Sequence, residues 1–144
     1  MKPALLDVNV LLALAWPSHQ HHQDAHQWFH KESRYGWTTC ALTHLGFVRL
    51  SSNPAYTVDA VSPHDAASLL QQLTRHPKHQ FWSALPPLDQ RLLQNATGHR
   101  QVTDAYLVRV ARAHDGRLVT FDTRIAVHAI TAGDVKTIGQ PLSP

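Results

Sequence analysis

Asp7, Asp104 and Asp122 are the residues of this 144-residue chain whose type and placement could do chemistry. Asp7 follows the apolar run Ala4-Leu5-Leu6, and Asp122 follows Leu118-Val119-Thr120-Phe121, so each stands at the end of a candidate strand. In a parallel sheet the carboxyl ends of the strands open into one crevice where ligands bind, and neighbouring strands would bring both carboxylates there. Asp104 lies in the first turn of a candidate helix, and the loop 97–103 before it can deliver it to the same place. Three carboxylates so gathered repel one another unless a cation lies between them. Their hard oxygens suit Mg²⁺ or Mn²⁺ rather than zinc. Such an ion activates water and offsets charge on a phosphate under attack, which makes phosphodiester hydrolysis the matching reaction. Each of the three also stands where a helix begins, and Asp is among the commonest helix caps. The residues by themselves leave capping and metal binding both open.

The elements that would position these side chains alternate between strand and helix. Residues 3–7 read as a buried strand and 8–15 as a helix that stops before Pro17. An amphipathic helix is expected over 21–33, with Ala25, Trp28 and Phe29 at helical spacing, then a strand over 36–40 and a helix over 42–50. Asn53-Pro54 opens a loop. Ser62-Pro63-His64-Asp65 combines a cap, a proline at the first helical position and an acid in the first turn, with Ala66, Leu69, Leu70 and Leu73 as the apolar stripe. A short strand is expected over 80–82 and a helix over 88–96, closed by Gly98. The spacing predicts a helix over 102–114, capped by Thr103 and followed by Gly116. Then come a strand over 117–121, a short helix over 124–130 and a last strand over 135–138. This alternation implies an α/β class: a central, mostly parallel sheet flanked by helices on both faces, in one domain spanning 1–144.

Composition narrows the classes of function. An apolar fraction of 43% fits a globular chain, and no run approaches the roughly 18 apolar residues of a spanning helix. The N-terminus imitates a signal peptide, but Asp7 and Asn9 interrupt its apolar region and no small-residue cleavage site precedes Pro17. The single cysteine, Cys40, has no partner for an internal disulfide, which favours a reducing, cytoplasmic compartment. A net charge of +3 permits a nucleic-acid partner without demanding one, and Arg, whose planar fork suits phosphate, outnumbers Lys. Glu32 is the only glutamate, so a carboxylate site must be built almost wholly from aspartates. Neither G-x-G-x-x-G nor a P-loop occurs, which leaves nucleotide cofactors without support.

Taken together and in order, LLDVNVLLAL, HHQDAHQWF, WTTCALTHLGFVRLSSNP and GHRQVTDAYLVRVARAHDGRLVTFD resemble the PIN-domain toxins of VapBC toxin–antitoxin systems over almost the whole chain. The resemblance implies a compact α/β endoribonuclease that uses Mg²⁺ or Mn²⁺, forms a homodimer, and is held inactive by a cognate VapB-type antitoxin whose tail blocks the acidic site. On matching positions it makes Asp7 the first metal ligand, Asp104 the central one, and Asp122 a further ligand or water-positioning group. Asn9 would orient Asp7, and Thr120 would play a similar part near Asp122. One position departs from the pattern. Relatives usually read T-E-x-G-F-V-R after the second strand, whereas this chain reads Thr43-His44-Leu45-Gly46-Phe47-Val48-Arg49. His44 in place of that glutamate removes a charge and a hard oxygen donor. Three consequences follow as hypotheses: a preference for Mn²⁺, weaker metal binding, or loss of the nuclease activity, leaving a module that binds antitoxin or RNA.

Other features have bland readings beside functional ones. His22, His26 and His30 line one helix face at metal-binding spacing, but that face lies away from the apolar side and reads better as solvated. Arg49, Arg100, Arg109, Arg112 and Arg124 are candidates for phosphate contacts. Phe81 and Trp82 could stack on bases, although packing is the more ordinary role. A receiver-like phosphoacceptor domain also places aspartates at strand ends. It wants adjacent acids after the first strand, and here Val8 follows Asp7.

Overall fold

The computed structural model describes residues 1–139. Its strands are β1 (Ala4–Leu6), β2 (Trp37–Cys40), β3 (His79–Trp82), β4 (Arg117–Thr120) and β5 (Val135–Thr137). All pair in parallel, in the order β3-β2-β1-β4-β5, which puts the first strand at the centre. The register sets Leu5 beside Thr38 on one side and Leu118 on the other, so the ends of β1 and β4 lie level. The Asp7 N–H extends this pairing by one residue, donating to the Val119 carbonyl at 2.9 Å.

Period-two alternation divides the core between the two faces of the sheet. Leu6, Trp37 and Val119 face one side and pack with Val10 and Leu11 of α1 (Val8–Ala15), Trp28 of α2 (His22–Glu32), Phe47 of α3 (Ala41–Ser51) and Leu70 of α4 (Pro63–Leu73). Leu5, Cys40, Trp82 and Leu118 face the other side and pack with Leu107, Val108 and Val110 of α5 (Val102–Ala113). Two glycines permit close approaches. A Cβ on Gly46 would lie 2.6 Å from a Val8 methyl, so its absence lets α3 cross directly over the start of α1. A Cβ on Gly116 would lie 2.6 Å from the Trp82 ring and 2.9 Å from the Pro3 carbonyl, so β4 can enter the sheet only through glycine. The left-handed residue after α5 is Asp115 (φ 54°), not Gly116.

Three expectations need correction. Residues 88–96 do not form a helix; only a 3₁₀ turn over Gln90–Leu93 is present. Pro86-Pro87 precedes the segment, Leu88 is exposed, and so short a helix with little apolar surface to bury does not hold itself together. The Tyr106 hydroxyl donates to the Pro86 carbonyl just before the segment, and Asn95 Nδ2 ties its far end to the Val127 carbonyl at 3.2 Å. Thr103 does not cap α5, because a 3₁₀ turn over His99–Gln101 runs straight into the helix and places Thr103 inside it. The stretch expected as a short helix over 124–130 is a 3₁₀ segment, Thr123–His128. Among the described residues no helix is long and apolar enough to cross a membrane.

Candidate active site

Asp7 is fixed from two sides. As N-cap of α1 it accepts the Val8 N–H on Oδ1 at 2.8 Å, and the Thr120 hydroxyl donates to Oδ2 at 2.8 Å. That hydroxyl has one proton and two lone pairs, and all three are in use. It accepts from Asn9 Nδ2 at 3.2 Å and from the Asp122 N–H at 3.0 Å. Asn9 completes the tie by accepting the Phe121 N–H at 3.2 Å. Asn9 therefore reaches Asp7 through Thr120, and Thr120 joins the backbone of Asp122 to the carboxylate of Asp7. Burial drives the Asp7 carboxyl up to about 6, helped by the charges of Asp104 and Asp122 and opposed by the Thr120 and Val8 hydrogen bonds.

Asp104 stands in the first turn of α5, where the positive end of the helix dipole favours a carboxylate. Its carboxyl is nevertheless held above the usual range by burial and by the Asp122 charge, with His128 and Arg124 pulling the other way. Asp104 lines two clefts. One, of about 250 Å³, also includes Asp7, Gly46 and Arg49. The other, of about 180 Å³, includes Arg100, Asp122, Arg124 and His128. Asp122 caps the 3₁₀ turn that follows β4, accepting the Arg124 N–H on Oδ1 at 2.9 Å. The Arg124 guanidinium grips the same carboxylate with both arms, Nε to Oδ1 at 3.0 Å and Nη2 to Oδ2 at 2.9 Å. This fork is the main reason the Asp122 carboxyl lies below its ordinary value. Capping and clustering are thus both true of Asp7 and Asp122, whereas Asp104 caps nothing.

The structure brings Asp7, Asp104 and Asp122 close enough for each to feel another's charge. It turns His44 elsewhere. His44 Nε2 and His79 Nε2 each lie 2.7 Å from Thr39 Oγ1, and since that hydroxyl has one proton, at most one ring accepts and at least one donates. His44 lines neither acidic cleft; α3 presents Leu42, Gly46, Arg49 and Leu50 to the Asp7 side. Burial lowers the pKa of His44. Of the candidate arginines, Arg49, Arg100 and Arg124 reach the clefts, Arg112 is committed to Asp134 at 2.7 Å, and Arg109 is exposed. His22 and His26 meet the Ala13 and Leu14 carbonyls at 2.7 and 2.9 Å and so close the end of α1, while His30 is exposed. Trp82 packs in the core, stacked on His114, and Phe81 lies half-exposed beside His44. His128 escaped the sequence reading, since only its place six residues after Asp122 hints at a return to the crevice.

Hard carboxylate oxygens in a partly buried set, in which Asp7 feels the charges of the other two, have the chemistry of a divalent-cation site. Among the described residues, however, no three His, Cys, Asp or Glu side chains are spaced to share one ion. Both Asp122 oxygens accept from Arg124, which therefore competes with a cation for the carboxylate, although Oδ2 accepts from one donor and keeps a lone pair.

The chain is a five-stranded parallel α/β sheet with aspartates at its carboxyl edge. The PIN domain family matches residues 4–130, and the chain belongs to that family, among its VapC-type members. It is 42% identical to Ribonuclease VapC39 of Mycobacterium tuberculosis over 94% of this chain and 99% of that protein. It is 45% identical to Ribonuclease VapC44 of the same organism, over 88% of this chain and 91% of that one. In fold it is similar to the crystal structure of PAE2754 from Pyrobaculum aerophilum, with a TM-score of 0.57 and 22% identity over 93% of this chain and 83% of the other.

Proposed function

We propose that this chain is a divalent-metal-dependent endoribonuclease, the cytoplasmic toxin of a type II toxin–antitoxin pair. In this reading it works as a homodimer and is restrained by a VapB-type antitoxin. The observation that carries the proposal is Asp104 lining both of two clefts, one with Asp7 and the other with Asp122, with the charges of Asp104 and Asp122 helping to raise the Asp7 carboxyl. The names of relatives at 42% and 45% identity support ribonucleolytic activity in particular.

Asp7 and Asp104 would hold Mg²⁺ or Mn²⁺, joined by Asp122 directly or through water. When bound, the ion offsets the carboxylate repulsion and supplies Lewis-acid polarisation to a phosphodiester. The chain's own residues do the rest. Thr120, set by Asn9, holds the Asp7 carboxylate in one orientation and favours its charged form. Arg49 and Arg100 on the cleft walls are placed to bind flanking phosphates. Burial of the Asp7 carboxylate limits water's competition for it. The alternative, a PIN-fold module disarmed by His44, is not favoured. Its relatives are named as ribonucleases, and His44 is anchored on Thr39 away from both clefts.

The test is cleavage of total RNA by metal-stripped protein after Mg²⁺ or Mn²⁺ is restored, beside Asp104→Asn. The variant should lose more than roughly 100-fold, the upper range for outer-sphere partners of a metal. Undiminished cleavage by Asp104→Asn would end the assignment.

A further inference from the structure

We propose that Arg124 is an exchangeable counter-ion: it neutralises Asp122 while the crevice lacks a metal, and it passes to an RNA phosphate in the adjoining cleft when a divalent ion takes Asp122. This rests on the metal-dependent nuclease reading of the crevice. The Arg124 guanidinium spends two of its arms on the two Asp122 oxygens, a bidentate geometry that matches a phosphate equally well. Its side chain is 84% exposed, against 21% for Asp122, so the arginine is free to swing while the carboxylate is not. Thr120 Oγ1 holds the Asp122 N–H, which fixes the carboxylate's own position further.

The cleft that Arg124 shares with Arg100 and His128 is the natural acceptor for the released side chain. It sets these basic groups around Asp104 and Asp122, so metal-binding oxygens and phosphate-binding nitrogens face one small space. The exchange conserves charge balance at each stage. Without metal, Asp122 is paired by Arg124; with metal and RNA, the ion serves the carboxylates and Arg124 serves the phosphate.

The experiment titrates Mn²⁺ calorimetrically into metal-free wild type, Arg124→Gln and Arg124→Lys, without RNA. Arg124→Gln should bind Mn²⁺ about fivefold more tightly, the scale of losing one exposed ion pair as a competitor. Arg124→Lys keeps the charge but not the fork, so it should also bind more tightly than wild type. Equal affinity of wild type and Arg124→Lys would reduce Arg124 to a distant field effect and overturn the exchange. Absence of Mn²⁺ binding by the wild type would instead overturn the nuclease reading beneath it. A second measurement uses a hydrolysis-resistant probe, a short phosphorothioate-linked 2′-O-methyl single-stranded RNA. With Mn²⁺ present, Arg124→Gln should lower the slope of log affinity against log salt by about 0.7, one phosphate contact on a single strand. In EDTA the two slopes should agree. A slope difference that is the same with and without Mn²⁺ would refute the hand-over.

Discussion

Replacing Asp7 with asparagine is expected to stabilise the metal-free protein at alkaline pH and to destabilise it in acid. Asp7 is only 7% exposed, and its carboxyl is raised from 3.8 to about 6. The folded chain therefore keeps a proton that the unfolded chain has lost between these values. Stability falls as pH climbs through that window, and the full penalty is present above pH 6. Two pKa units and a little more correspond to about 3 kcal/mol. Asparagine removes the charge but has one acceptor where aspartate has two, and both Asp7 oxygens receive donors, from Val8 and Thr120. One of those donors loses its partner, at about 1–2 kcal/mol. The balance at pH 8 is a gain of about 1–2 kcal/mol, or about 3–6 °C in Tm for a chain of this size. The advantage should vanish near pH 5, where about half of the penalty remains and matches the cost of the lost hydrogen bond, and reverse below it. Circular-dichroism melts in EDTA from pH 4.5 to 8.5 measure this directly, and adding Mn²⁺ should raise the wild-type Tm alone. A constant Tm difference across that range would refute the view that Asp7 is a strained, buried charge awaiting a cation.

Two further substitutions probe the wiring. Thr120→Val removes the donor to Asp7 and two acceptors at once; it should cost about 2 kcal/mol and move the acid limb of the cleavage pH profile upward, with Thr120→Ser restoring both. An unmoved acid limb would mean that Thr120 does not hold the Asp7 charge. His44→Ala should lower metal-dependent cleavage by less than about tenfold, the lower range for outer-sphere partners of a metal, since its partners are Thr39 and His79; a loss above roughly 100-fold in a folded variant would place His44 in the chemistry after all.

The frame of the molecule was legible because its signals are long and redundant. Ala4-Leu5-Leu6 and Arg117-Leu118-Val119-Thr120 read as strands, and both aspartates at their ends emerged as caps facing one edge, as parallel pairing requires. Residues 88–96 misled, since their leucines have helical spacing but Leu88 finds nothing to pack against. The direction of His44 was hidden for a geometric reason. One step along a helix turns a side chain by about 100°, so a motif position does not say which side of the crevice a substituted residue will take. The Arg124 fork was equally hidden, because a contact between residues two apart depends on the 3₁₀ turn beyond the strand rather than on any periodicity.

The central place of β1 has a consequence for how the protein is made. Asp7 leaves the ribosome well before the hydroxyl that orients it, which comes 113 positions later on a strand that must slot in beside β1. A chain interrupted before β4 would present Asp7 without Thr120, Asp122 or Arg124. For a protein proposed to cut RNA, a copy still short of β4 would not yet hold the full set of proposed site residues.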